Sequence, residues 1–314
     1  MTDYERFLKG SFIESLPITE ITDEDIDQFF LEIIRSAKGR NGRAGIDYKS
    51  FGKLYGYMEG TFGFAFRKHM IHENPMSRLA KKDYRNICLE PEEKTAETEL
   101  ISDECFDQIL EQLYEDMKNN PTCFATYAVE LSAKLGTRVG EIAALKWKDV
   151  DYSAGYITIR RSDRYKKQRD EKGNIIKTEW VVEERTKTKK QRRFPIDDEI
   201  RKSLDRIHDV QAKYGLTSEW VFPHPDYGWT HSSIISSCLK NKCKQLGFDR
   251  TYGVHAFRKT LNSDMRHDNV SVQMCASMIG NTEEVNNLHY TYDISRMDEK
   301  REAVEKAHAK RAYK

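Results

Sequence analysis

Between residues 83 and 99 the chain reads DYRNICLEPEEKTAETE, with few apolar side chains and no periodicity, while the segments on either side repeat apolar residues at helical spacing. A stretch of that kind has nothing to bury and reads as a linker. The 314-residue chain is therefore expected to form two domains, each with its own core. The boundaries read 1–85 for a helical domain, 86–99 for the linker and 100–314 for a second domain with a helical tail.

Before the linker, ITDEDIDQFFLEII offers Thr22 as an N-cap, acids in the first turn, and Ile26, Phe29, Phe30, Ile33 and Ile34 on one helical face. RSAKGRNGRAG at 35–45 is a basic, glycine-rich connector, and a second helix runs from about Tyr48 through LYGYMEGTFGFAFRKHM, its aromatics read as core. After the linker, Ser102 caps FDQILEQLYEDMK, where Phe106, Ile109, Leu110, Leu113 and Met117 form one stripe. YITIRRS (156–162) and WVVEERT (180–186) alternate as strands around a charged insert at 163–180, and helices resume at 197–213 and 231–246. The fold class is mainly α with a small antiparallel β-sheet. The opening TDYERFLKGSFIESLPITEIT reads as the end of a helix, so the first domain is expected to be truncated at its N-terminus.

The net charge of +1 does not announce a nucleic-acid partner, but its distribution does. Residues 160–194 hold fourteen Lys and Arg against six Asp and Glu, whereas residues 1–30 hold eight acids against two bases. Binding through such a basic stretch falls steeply with salt. The six cysteines form no Cys-x-x-Cys pair, and no His cluster completes a metal site around Cys238 and Cys243, so reduced thiols and no bound metal are expected. No signal peptide and no apolar run of membrane-spanning length is present, and a cytoplasmic protein is the default expectation.

The chemistry is concentrated near the C-terminus. HAFRKT at 255–260 precedes IGNTEEVNNLHYTYD at 279–293, setting His255 and Arg258 some thirty residues before a tyrosine-rich segment. A phosphodiester under attack gathers negative charge on its non-bridging oxygens, which Arg and His donors stabilise while a hydroxyl supplies the nucleophile. Upstream, KLGTRVGEIAALKWKDVD at 134–151 places Arg138 just past a glycine-ended helix, with Glu141 three residues on. TKTKKQRRFPID at 186–197 reads as a hairpin tip carrying Lys187 and a short strand ending at Pro195.

In this order, Arg, hairpin Lys, His-x-x-Arg and Tyr, the chain resembles the tyrosine recombinase (phage integrase) family. The resemblance implies a helical core-binding domain followed by an α+β catalytic domain. It makes Arg138 and Arg258 the phosphate-clamping arginines, Glu141 a supporting acid, Lys187 the general acid, His255 a proton acceptor or phosphate donor, and Tyr290 the nucleophile, with Tyr292 as the alternative. Asn281 stands where the family usually has His or Trp, and an amide can still donate to a phosphate. A free tyrosine hydroxyl has a pKa of ~10, so flanking cations are needed to favour its phenolate.

The same resemblance implies site-specific integration and excision of a mobile element through a 3′-phosphotyrosyl link, with no cofactor, metal or ATP. Expected DNA contacts are Arg40, Arg43, Lys49 and Lys53 in the first domain and Lys189 and Arg192 in the second. The partners implied are a double-stranded DNA crossover site, three further copies joined through the tail around Met297, Ala303, Val304 and Ala307, and an accessory DNA-bending or excision factor. The alternatives are a Xer-like chromosome resolvase, a type IB topoisomerase, or a catalytically inactive DNA-binding protein of the same fold.

Overall fold

The computed structural model describes residues 3–37, 44–90, 93–170, 174–184 and 191–312. The chain forms two compact units, Met1–Glu93 and Lys94–Lys314. In the first, α1 (Asp3–Phe7), α2 (Asp23–Ser36) and α3 (Tyr48–Arg67) enclose an aromatic core. Thr22 begins α2 with a reciprocal capping box: its hydroxyl accepts from Asp25 N at 3.2 Å and its own N–H donates to the Asp25 carboxylate at 2.9 Å. Phe30 is the hub, its ring edge-on to Phe51 at 5.1 Å and to Tyr84 at 5.4 Å. On α3 the aromatics divide: Phe51, Tyr55 and Phe62 are buried, whereas Tyr57, Phe64 and Phe66, expected in the core, are exposed. A twenty-residue helix with aromatics on every face finds partners for only one of them.

The second unit begins within the expected linker. Thr95 caps a single turn, α4 (Ala96–Glu99), and this segment is held by an ion pair between Glu99 and Lys259 and by Arg250, which donates to the carbonyls of Thr98 and Leu100. There follow α5 (Asp103–Asn119), α6 (Phe124–Leu135) and α7 (Val139–Ala143). Helix α6 is buried on nearly all sides and is the central post against which α5 packs. A three-stranded antiparallel sheet, ordered β1 (Val150–Asp151), β2 (Tyr156–Ile159), β5 (Arg192–Pro195), adds Ile157, Ile159 and Phe194 to the same core.

Between β2 and β5 the charged insert is a paired hairpin, β3 (Ser162–Arg169) with β4 (Ile175–Glu183), rather than a loop between separate strands. Its root is fixed by Asp163, whose carboxylate accepts from Ser232 N at 2.8 Å, and by Trp180 stacked on His231 at 4.7 Å. Helix α8 (Asp198–Lys213), the short pair β6 (Pro223–His224) and β7 (Gly228–Trp229), and helices α9 (Ser232–Gln245), α10 (Val254–His267), α11 (Val272–Ile279), α12 (Glu283–His289) and α13 (Met297–Ala312) complete the unit. Helices α8, α9 and α10 also pack on α6. The buried Glu130 of α6 is satisfied by Lys134, Ser203 and Arg206 at 3.1, 2.8 and 2.9 Å. All six cysteines are free thiols.

The aromatic hub yields a stability prediction. Phe30→Ala should cost about 3–5 kcal/mol of unfolding free energy, and Phe30→Leu clearly less, because the leucine refills part of the cavity. Urea unfolding followed by circular dichroism measures both; equal losses for the two variants would show that ring packing at this position is unimportant.

Candidate active site

Helix α6 ends at Gly136 in the left-handed conformation, φ +55°. A Cβ there would lie 3.0 Å from Leu261 and 3.5 Å from the Arg258 backbone, so glycine lets the chain turn tightly against α10. The turn delivers Arg138 to the N-cap of α7. Glu141, at the third position of that helix, accepts from Arg138 N at 3.1 Å and from Arg138 Nη1 at 2.9 Å. Arg138 Nη2 donates to the carbonyl of Gly280 at 2.9 Å.

The Glu141 side chain is only 1% exposed and takes a second cation: Arg192 Nη2 donates to its Oε2 at 2.6 Å. Burial alone would raise this carboxyl, but the bonds and charges of Arg192 and Arg138 outweigh it and hold the group below the ordinary glutamate range. Arg192 had been expected on the DNA-facing surface. It is instead turned inward, because β5 alternates and Arg192 shares the buried face of Phe194, while Arg193 faces out over the Tyr156 ring at 4.4 Å.

Arg258, on α10, is fully buried. Its Nη1 donates to the carbonyl of Gly136 at 3.0 Å, and its Nε and Nη2 have no partner among the described residues. Burial, then the positive charge of Arg138, push its pKa down to about 10, which leaves it a cation at neutral pH. The guanidinium lies 5.0 Å from the ring centre of Tyr290, and the ring of His255, one helical turn before Arg258, meets the same tyrosine at 5.2 Å and 64°. Arg192 Nη1 and both polar side-chain atoms of Asn281 are likewise buried without a partner among the described residues.

Tyr290 sits at the C-cap of α12, and its backbone is pinned: its carbonyl accepts from Asn262 Nδ2 at 3.0 Å and from Ser263 Oγ at 3.2 Å. Tyr292 N donates to Ser263 Oγ at 3.1 Å, and its ring faces Lys259 at 5.6 Å rather than Arg258. Burial raises the Tyr292 hydroxyl above its usual value. The structure thus brings Arg138, Glu141, Arg192, His255, Arg258 and Tyr290 into one cluster, with Asn281 next to the Gly280 carbonyl that Arg138 holds. Lys187, Lys189, Arg40 and Arg43 lie outside the described residues. Lys49 and Lys53 are exposed on successive turns of α3.

Asn262, Ser263 and Asn286 were not anticipated. Asn262 and Asn286 each lie four helical residues from a site residue, after Arg258 and before Tyr290, which is the one local signal for them.

Residues 106–292 match the model of the phage integrase family, well over half of the chain, and the chain belongs to that family. It is a tyrosine recombinase, an enzyme of site-specific DNA cleavage and religation. A protein named tyrosine recombinase XerC-like, from Caldanaerobacter subterraneus subsp. tengcongensis, is 23% identical over 294 residues, covering 86% of this chain and 70% of that protein. The prophage integrase IntR of Escherichia coli K12 is 25% identical over 154 residues, 48% of this chain and 33% of that protein. Among solved structures, the Tn1549 transposon integrase bound to circular intermediate DNA shares the fold at a TM-score of 0.64 and 15% identity, covering 97% of this chain and 91% of that one. A lambda integrase tetramer on a Holliday junction aligns at 0.57 and 16%, covering 86% and 68%.

The doubly bridged carboxylate yields the second prediction. Glu141→Gln should cost about 3–5 kcal/mol near neutral pH, as removing one partner of a buried ion pair does. Because the folded-state pKa of Glu141 is depressed, that difference should persist down to the ordinary glutamate pKa and shrink only as pH falls further, through the lowered folded value. Urea titrations of both proteins from pH 7 to pH 3 read this; a gap that closes already at pH 6 would contradict it.

Proposed function

We propose that the protein is the integrase of a mobile element, cutting and rejoining double-stranded DNA at attachment sites through a covalent 3′-phosphotyrosyl intermediate. The observation that carries this reading is Arg258, a buried cation whose guanidinium lies 5.0 Å from the Tyr290 ring centre and keeps two nitrogens without a partner among the described residues. An uncompensated buried charge is costly, and a phosphodiester is the anion whose forked oxygens match a guanidinium.

In this mechanism Arg138 and Arg258 bind the non-bridging oxygens, and Asn281 Nδ2 adds a neutral donor. Tyr290 Oη attacks phosphorus as its proton leaves, with His255 as acceptor. The P–O bond to the 5′ oxygen breaks, and Lys187 protonates that leaving group. The phosphate is then joined to tyrosine at the 3′ end of the cut strand. Attack by the 5′ hydroxyl of a partner strand expels Tyr290 and restores a phosphodiester, so one bond is exchanged for another with no net energy input. Glu141 holds Arg138 in aim without touching substrate.

The wider assignments belong to the same proposal. Lys49 and Lys53, with Arg40, Arg43 and Lys189, contact DNA phosphates. Four copies assemble on two duplexes through their C-terminal helices in the cytoplasm, with a DNA-bending or excision factor in attendance. Among the described residues no helix is long and apolar enough to cross a membrane. Chromosome resolution is a second reading, favoured by the likeness to the XerC-like protein over most of the chain. It shares every catalytic step and differs in the DNA on which the protein acts.

The test uses a nicked duplex bearing the element's end sequence. A denaturant-resistant adduct should form, vanish in Tyr290→Phe and remain in Tyr292→Phe, and Arg258→Ala should slow its formation by roughly 10²–10³-fold. Loss confined to Tyr292→Phe would move the nucleophile, and no adduct on any cognate duplex would leave only a DNA-binding role.

A further inference from the structure

Arg192 closes a ring of contacts around the site. Its Nη2 holds Glu141 Oε2 at 2.6 Å, the other carboxylate oxygen holds Arg138 Nη1 at 2.9 Å, and Arg138 Nη2 holds the Gly280 carbonyl at 2.9 Å. The ring returns through α11, because Arg192 Nε donates to the Met278 carbonyl at 2.7 Å. Three segments far apart in sequence are joined in this way: the first arginine box, the strand that follows Lys187, and the turn that bears Asn281. The fit at the turn is close. A Cβ on Gly280 would lie 2.8 Å from Arg192 Nη1, so glycine there serves the arginine as well as the left-handed φ of +73°.

We infer that Arg192 is a positioning residue for strand cleavage: by occupying one oxygen of Glu141 and the end of α11, it sets the aim of Arg138 and the seat of Asn281. Its side chain is 7% exposed, so it is not one of the peripheral phosphate contacts that its basic neighbourhood suggests. Lysine cannot replace it, since one ammonium does not span a carboxylate and a backbone carbonyl that two guanidinium nitrogens reach together. With Arg192 removed, Glu141 Oε2 keeps only the Arg138 backbone N–H at 3.1 Å and its second lone pair is open to the guanidinium, which is drawn into a two-bonded pair and away from Gly280 and the phosphate. The cleavage rate falls while DNA affinity, set largely by peripheral phosphate contacts, stays in place.

This inference rests on the recombinase reading, and its test separates the two. Single-turnover adduct formation on the nicked duplex is measured at saturating protein, with DNA affinity measured in parallel. Arg192→Met should be about 10²-fold slower, the scale of a small misplacement of a catalytic group, with affinity within about twofold, since the peripheral contacts remain. Arg192→Lys should lose about tenfold, because one of two bonds survives. The deciding readout is Arg192→Met combined with Glu141→Gln. The neutral amide no longer competes for Arg138, so the double variant should recover at least about tenfold over Arg192→Met alone, one of the two lost decades.

If Arg192 were only a structural brace, the double variant would be as slow as Arg192→Met or slower, and that result overturns the inference. Arg192→Met cleaving at the unaltered rate overturns it too, and leaves the recombinase reading intact. An unaltered protein that forms no adduct sinks the recombinase reading and the inference with it. Should Arg192→Met fail to fold by circular dichroism, the same comparison is made from Arg192→Lys, with and without Glu141→Gln.

Discussion

Two guanidinium groups share a single buried carboxylate while a third, that of Arg258, leans on a backbone carbonyl, and the arrangement of the second unit follows from holding these cations together. Arg138, Arg192 and Arg258 outnumber Glu141, and among the described residues Arg258 has no carboxylate of its own. What holds the excess charge is the backbone. Arg258 donates to the carbonyl of Gly136, which ends α6, while Arg138 and Arg192 donate to Gly280 and Met278 at the end of α11. Helix C-termini expose carbonyls that have no partner within the helix, and they carry partial negative charge. The site is therefore assembled from two helix ends, each closed by a left-handed glycine, aimed at the same cluster of cations.

This support is enough to orient the arginines and too weak to neutralise them. The remaining N–H groups of Arg258 and the amide of Asn281 form a buried set of donors without a partner among the described residues. Such preorganisation is what stabilises charge developing in a transition state, because the donors need not reorganise at the moment of reaction. Asn281 fits that role despite departing from the family pattern. A buried amide left without a partner is costly, and both polar side-chain atoms of Asn281 lack one among the described residues.

Much of this was legible in the sequence, and the limits follow from physics. Arg138, Glu141, His255 and Arg258 sit in short segments whose order and local spacing carry the information. So does the Thr22 cap, which needs only the four residues from Thr22 to Asp25. The inward direction of Arg192 is not legible locally, because it depends on the pairing of β5 with β2, where Arg192 stands opposite Ile159, a contact between segments more than thirty residues apart. The β3–β4 hairpin was read as a charged insert because its strands are exposed along most of their length and show no alternation of apolar and polar residues. The exposed aromatics of α3 show the converse error, since aromatic content alone does not say which helical face has a neighbour.

The choice between Tyr290 and Tyr292 turns on where α12 stops. On a fully extended segment the two rings would share a face, but Tyr290 is a helix cap with φ −128° and ψ −14°, so the rings separate, one toward Arg258 and His255, the other toward Lys259. That helix end is not free to slide. Asn262 and Asn286, both fully buried, exchange amide bonds at 3.2 and 2.7 Å, and Asn262 and Ser263 together hold the Tyr290 carbonyl. Shifting α12 by one residue would strand two buried amides, each at a cost of about 1–3 kcal/mol. An apolar contact would tolerate such a slip; a closed polar network does not. The register of the tyrosine thus depends on two buried asparagines, and this is the physical reason for favouring Tyr290 in a segment whose sequence offers two tyrosines.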